Sequence, residues 1–164
     1  MKVCLLRHGP AVPAGTPGVA EPDRPLTAEG RKKTRRALQG LKRLRLGIDE
    51  ILTSPLPRAL QTAEILADLL GGIRPAVDER LRPEVSVERL LGLLKDVTGE
   101  VPILVGHEPN LTAALALLVG AGRPDAHLLK KAGLAVVEVE VRKLTSRPAG
   151  TLQLLLTPHA LRLL

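Results

Sequence analysis

None of the 164 residues is Phe, Trp or Tyr. A buried core must then be built from Leu, Val, Ile and Ala, which suffices when volume and patterning are kept. The same absence speaks against single-stranded nucleic-acid binding, because such platforms stack bases on aromatic rings. Cysteine is nearly absent too. Cys4 alone cannot form an intrachain disulfide, and its short apolar setting reads as a buried free thiol rather than a reactive one. No apolar run is long enough to span a membrane; the longest, residues 111–121, suits a buried helix. The apolar start of the chain is cut by Arg7 and His8, which argues against a signal peptide. A cytoplasmic protein with no membrane partner is the expectation. Metal-site spacings are lacking as well: there is no His-x-x-x-His, no Cys pair and no Asp cluster beside a histidine. A Walker-type Gly-rich loop is missing, which disfavours an NTPase. Neither a metal nor a cofactor is expected.

What is present fits one domain over residues 1–164, of a size that buries a sizeable core. The 24 Lys and Arg exceed the 17 Asp and Glu, giving a net charge of +7. Such a balance favours anionic partners. Much of it lies in residues 31–45, which read as a helix with a solvated charged face; a binding patch is the alternative. Nucleic acid would be favoured by charge alone and is not expected as a partner.

Along the chain, residues 2–6 read as a short buried strand running into Arg7-His8-Gly9. Residues 9–25 form a loop rich in Pro and Gly, long enough to suggest function. Thr27 is a candidate N-cap for a helix to about Leu46, with Glu29 in its first turn. Residues 50–53 make a second strand. Ser54-Pro55 then reads as an N-cap followed by proline at the first helical position, with a helix to Leu70 ended by Gly71-Gly72. Residues 74–77 are a candidate third strand. Ser86 caps a helix carrying Val87, Leu90, Leu91, Leu94 and Val97. Residues 102–105 are a buried strand ending at Gly106-His107, and a helix follows over 109–119. Residues 134–141 and 151–157 close the chain as a strand pair around Arg147-Pro148-Ala149-Gly150. Strands alternating with helices predict an α/β fold, a mostly parallel central sheet with helices on both faces.

Three chemically suggestive segments share one placement. Arg7-His8, Ser54 to Arg58, and Gly106-His107 each follow a strand, and open α/β sheets form their sites outside the carboxyl ends of strands. One crevice would then hold two arginines and two histidines. Helix N-termini after Ser54 and near Pro109 would add backbone donors. Such a site suits a tetrahedral dianion.

Arg7-His8-Gly9, Arg24-Pro25-Leu26-Thr27 with Gly30, the run from Ser54 to Ala63, and Val105-Gly106-His107-Glu108-Pro109 together resemble the histidine phosphatase superfamily in order and spacing. The form Arg7-His8-Gly9-Pro10-Ala11, the short chain and the closing Thr157-Pro158 with Leu161 are most similar to the SixA-like phosphohistidine phosphatases. The resemblance implies a three-layer, phosphoglycerate mutase-like sandwich. It implies that His8 is a nucleophile forming a phosphohistidine that water then cleaves. Arg7 and Arg58 would clamp the equatorial oxygens and His107 would donate to them. Arginines beside His8 are expected to depress its pKa, because like charge disfavours protonation. Gly9, Arg24 and Ser54 are candidate substrate-binding residues, Arg24 either lining the pocket or pairing with a carboxylate. His127 reads as a surface residue, and His159 as one at most at the rim of the site.

The sequence departs from the superfamily at one place. Many members carry Leu-x-Glu, whose Glu protonates the leaving group; here Leu81-Arg82-Pro83 stands instead. Glu79 and Glu84 are the candidate substitutes, with surface carboxylates as the plainer reading. The expected function is a metal-independent phosphatase, acting on a phosphorylated protein bearing phosphohistidine. The alternatives are a small-molecule phosphomonoesterase for a sugar phosphate or nucleotide, and a phosphate-binding module without turnover. The oligomeric state is left open.

Overall fold

The structure is a computed structural model that describes residues 1–121, 129–145 and 148–164. Its centre is a six-stranded sheet. The strands are β1 (Lys2–Arg7), β2 (Glu50–Thr53), β3 (Ala76–Val77), β4 (Pro102–Gly106), β5 (Leu134–Val139) and β6 (Gly150–Leu156). They lie in the order β3-β2-β4-β1-β5-β6. The first four are mutually parallel, while β5 runs antiparallel to β1 and β6 antiparallel to β5. The sheet is thus mixed, with a parallel majority that carries the site.

Among the described residues, five α-helices cover it: α1 (Ala28–Arg43), α2 (Pro57–Leu70), α3 (Val87–Gly92), α4 (Asn110–Val119) and α5 (Pro158–Leu163). Alternation along the strands explains the three layers. In β1, Val3 and Leu5 enter one apolar cluster, with α3 and α4; Cys4 and Leu6 enter the other, with α1, α2 and α5. β4 divides likewise, Leu104 to one side and Ile103 and Val105 to the other. Strands buried on both faces read as continuous apolar runs, which is why β1 and β4 stand out in the sequence. At Gly40 an added Cβ would lie 1.7 Å from the Leu161 carbonyl oxygen, so α1 and α5 pack with backbone almost touching backbone.

Several expected boundaries are corrected. Thr27 does cap α1, accepting from Gly30 N at 2.8 Å, but that helix stops at Arg43 rather than near Leu46. Ser54 is not the N-cap of α2. The cap is Leu56, without a side-chain bond, and Pro57 rather than Pro55 takes the first helical position. The Ser54 hydroxyl is engaged elsewhere in the fold. The third strand shrinks to two residues, since Pro75 has no N–H for a ladder. β5 ends at Val139, and Val141–Lys143 is a 3-10 turn. The long loop is tied down by an Ala11–Leu26 bridge and by Val12 N donating to Pro25 O at 2.9 Å. His127 and Arg147 lie outside the described residues.

Candidate active site

Parallel pairing of β1 with β4 sets Arg7 opposite Gly106. The residues just beyond, His8 and His107, therefore emerge side by side, with His8 N bonded to Gly106 O at 3.1 Å. Their ring centroids are 5.1 Å apart. Next along the sheet, β2 pairs with β4 up to Thr53 and Val105, and Ser54 N continues the ladder to Val105 O at 3.0 Å. The chain then turns through two prolines into α2, whose second residue is Arg58. Arg7, His8, Arg58 and His107 thus line one cavity of about 340 Å³, at the carboxyl ends of the parallel strands.

His8 is buried, and its Nδ1 lies 2.7 Å from the Gly9 carbonyl. A carbonyl can only accept, so Nδ1 carries the hydrogen and Nε2 holds the lone pair. The ring is neutral at ordinary pH, its pKa lowered to about 3. Burial is the largest cause. The Gly9 hydrogen bond opposes it, and Arg58, Arg7 and Lys131 then reinforce it. The expected arginine effect is real but second to desolvation. Burial also leads at His107, followed by His8, Arg58 and Arg7, and takes its pKa down to about 2.

Gly9 does not line the cavity. Its N–H donates to Thr62 Oγ1 at 3.0 Å, and Thr62 in turn donates to Arg58 O at 2.7 Å. A Cβ on Gly9 would meet Thr34 Oγ1 at 1.9 Å. Gly9 is thus the strut that aims His8 and couples it to α2, in place of the substrate contact expected of it. Ser54 is fully buried, and its hydroxyl lies 2.8 Å from His107 Nε2. It too is outside the cavity lining, in place of the expected direct contact.

Among the described residues, three buried nitrogens have no protein partner: Arg7 Nε, Arg58 Nε and His107 Nδ1. Each arginine is anchored through Nη1. Arg7 Nη1 donates to Leu129 O at 2.8 Å, and Arg58 Nη1 donates to Glu21 O at 3.2 Å. Arg24 both lines the cavity and pairs with a carboxylate. It grips Glu21 through Nε at 2.8 Å and Nη2 at 2.6 Å. Glu21 also stands 3.7 Å from Arg58 Nη2, and its carboxyl lies below the usual range chiefly through the Arg24 hydrogen bond.

Sequence reasoning passed over Glu21, Glu108 and Lys131, which all line the cavity. Glu108 Oε1 accepts from Thr112 at 2.9 Å, while its buried Oε2 has no partner. Glu108 lies within the Val105–Pro109 motif, and nothing in the sequence singles out Glu21 or Lys131. The candidate acids Glu79 and Glu84 are not in the cavity. Both are exposed and pair with Arg82, whereas Pro83 does line the site. Exposed His159 sits on α5 and is not part of the lining. Among the described residues no group of three or more His, Cys, Asp or Glu is arranged to hold a metal ion. The positive charge at the cavity comes from Arg7, Arg24, Arg58 and Lys131.

Residues 3–110 match the model of the histidine phosphatase superfamily, branch 1, and the chain belongs to that superfamily. An uncharacterized protein of Picosynechococcus sp. is 37% identical over 163 residues, spanning 96% of this chain and 97% of its own. Among solved structures, the protein histidine phosphatase SixA complexed with tungstate superposes with a TM-score of 0.82 at 26% identity, covering 97% of this chain and 98% of that one. A protein of Agrobacterium tumefaciens described as a phosphohistidine phosphatase SixA gives 0.77 at 28%, covering 96% and 97%. Family and neighbours together support phosphatase chemistry. No helix of the described residues is long and apolar enough to cross a membrane.

Proposed function

We propose that this protein hydrolyses phosphohistidine on a protein substrate, without a metal ion, through a phosphoryl group carried on His8. The observation that supports this most is the set of buried, unpartnered nitrogens on Arg7, Arg58 and His107 around a neutral His8. A tetrahedral dianion would satisfy all three. Phosphoryl transfer asks chiefly for positioning and charge stabilisation, which such a cradle supplies. In the first step the Nε2 lone pair of His8 bonds to phosphorus, and the bond from phosphorus to the leaving nitrogen breaks with its electron pair. In the second, water attacks phosphorus, the P–Nε2 bond breaks, and inorganic phosphate leaves with His8 restored.

The choice of leaving group rests on Pro83. It lines the cavity in the stretch where the family resemblance puts a proton-donating Glu, and it has no proton to give. An imidazole, protonated before or as it departs, leaves with little help. An alcohol needs a proton, and general acid assistance is worth roughly a hundred- to ten-thousand-fold. A second reading, a small-molecule phosphomonoesterase, is favoured by Glu108, whose free Oε2 would be a ready proton carrier.

A leaving-group series decides between them. log kcat/KM plotted against leaving-group pKa is expected to fall steeply, with phosphohistidine protein turned over fastest, acidic phenyl phosphates next and alkyl phosphates hardly at all. Chelators should leave every rate unchanged. A flat plot with brisk turnover of sugar phosphates would transfer the assignment to the phosphomonoesterase, and Glu108→Gln would then be expected to steepen it.

A further inference from the structure

Both site histidines are buried, yet their rings are held by opposite kinds of partner. At His8 a carbonyl accepts from Nδ1. At His107 the partner is the Ser54 hydroxyl, which can donate or accept. Which it does follows from the other bonds of Ser54. Its oxygen already accepts from Leu56 N at 3.3 Å. Its hydrogen has to go somewhere, because the residue is fully buried and a buried donor without an acceptor is costly. Among the described residues the acceptor in reach is His107 Nε2. Were Nε2 to donate instead, Ser54 would accept twice and its own hydrogen would be stranded.

We infer that Ser54 is a positioning residue that donates to His107 Nε2 and so locks His107 in the Nδ1–H tautomer, turning a donor toward the anion cavity. His107 carries one hydrogen, since burial beside Arg7, Arg58 and His8 keeps it uncharged. With Nε2 occupied as an acceptor, that hydrogen sits on Nδ1, the nitrogen without a protein partner. A neutral ring of the other tautomer would present a lone pair to the phosphoryl oxygens and repel them. The site therefore holds two neutral histidines as complements: His8 offers a lone pair and His107 offers a hydrogen. The functional part of this inference rests on the phosphatase reading; the tautomer itself does not.

The test is a nitrogen–proton correlation spectrum of the histidine rings in ¹⁵N-histidine-labelled protein at neutral pH, assigned with His107→Gln. His107 is expected to show a protonated Nδ1 and an unprotonated Nε2. Ser54→Ala should abolish that pattern, weaken inorganic phosphate binding about ten-fold or more and lower kcat similarly. Ser54→Thr, which keeps the hydroxyl, should restore all three. A wild-type spectrum with the hydrogen on Nε2, or with both nitrogens protonated, overturns the inference whatever the variants do. So does Ser54→Ala with the wild-type ring pattern. An Nδ1–H ring with phosphate binding but no turnover of any phosphate would uphold the tautomer and break the phosphatase reading instead.

Discussion

The floor of the cavity and its rim are built differently. On the floor, His8, Arg58 and His107, with Ser54 packed behind them, are between 0% and 6% exposed, and each sits where a strand ends or a helix begins. The places of His8, His107 and Ser54 follow from the register of β1, β4 and β2, and that of Arg58 from the start of α2. At the rim, Glu21 is 59% exposed on its side chain and pairs with Arg24 and Arg58, and Lys131 is exposed. A floor made by backbone register suits chemistry that must not vary. A rim made by exposed ion pairs suits the choice of what may enter.

Disrupting the floor should have the largest effect. His8→Ala removes the lone pair altogether. It should reduce turnover to background and abolish an acid-labile, base-stable phosphoryl adduct trapped by quenching during turnover with labelled substrate. Label that persists in that variant, or that maps to Cys4, would sink the assignment. Arg58→Lys keeps the charge but loses the planar fork and its anchored Nη1, and should cost at least about ten-fold in kcat/KM. Full activity in that variant would mean that Arg58 belongs functionally with the rim.

The floor also predicts acid sensitivity. His8 and His107 have folded pKa values of about 3 and about 2, against 6.5 for a free ring. Below pH 6.5 the unfolded chain therefore binds more protons than the folded one. Stability contributed by the two neutral rings is fully present above that pH and is lost as pH falls toward the folded values. The slope is up to about 1.4 kcal/mol per pH unit for each ring. Urea midpoints at pH 7 and pH 5 should differ accordingly, before the carboxylates titrate, and His107→Gln should flatten the difference. Equal midpoints at the two pH values would show that the rings are solvated. Corrected for ionisation of the substrate, kcat/KM should show no limb near 6.5.

The same contrast explains what could be read from the sequence. β1 and β4 are apolar runs that end on Arg7-His8 and Gly106-His107, so strand, position and chemistry are written in consecutive residues. Ser54-Pro55 misled because a local start signal competes with a partner 53 positions away in the chain; no local rule sees His107. The rim was less legible. Glu21 and Lys131 lie in segments without periodicity, and they matter only because the Ala11–Leu26 bridge and the turn before β5 bring them to the cavity. Gly9 is a candidate substrate-binding residue in the sequence, where only its place beside His8 is visible. Its role instead depends on Thr34 and Thr62, which come from two helices.

The smallest effect should come from the rim itself. Glu21 places a carboxylate between Arg24 and Arg58, all three lining the cavity. It screens Arg58 and holds Arg24 away from other anions. Glu21→Gln removes the charge and loosens the clamp, and both changes act in the same direction on an incoming anion. Inorganic phosphate should inhibit more strongly, by a few-fold only, because exposed charges are screened by water and salt. The gain should shrink as ionic strength rises. kcat on phosphohistidine protein should hardly move, since His8, His107 and the anchored arginines are untouched. Substrates that carry a second negative charge beside the phosphate should improve most, which would make Glu21 a filter against acidic small molecules. A loss of kcat of about ten-fold or more in this variant, with phosphate inhibition unchanged, would contradict the division. Glu21 would then be taking part in the chemistry, and the boundary between floor and rim would have to be drawn outside it.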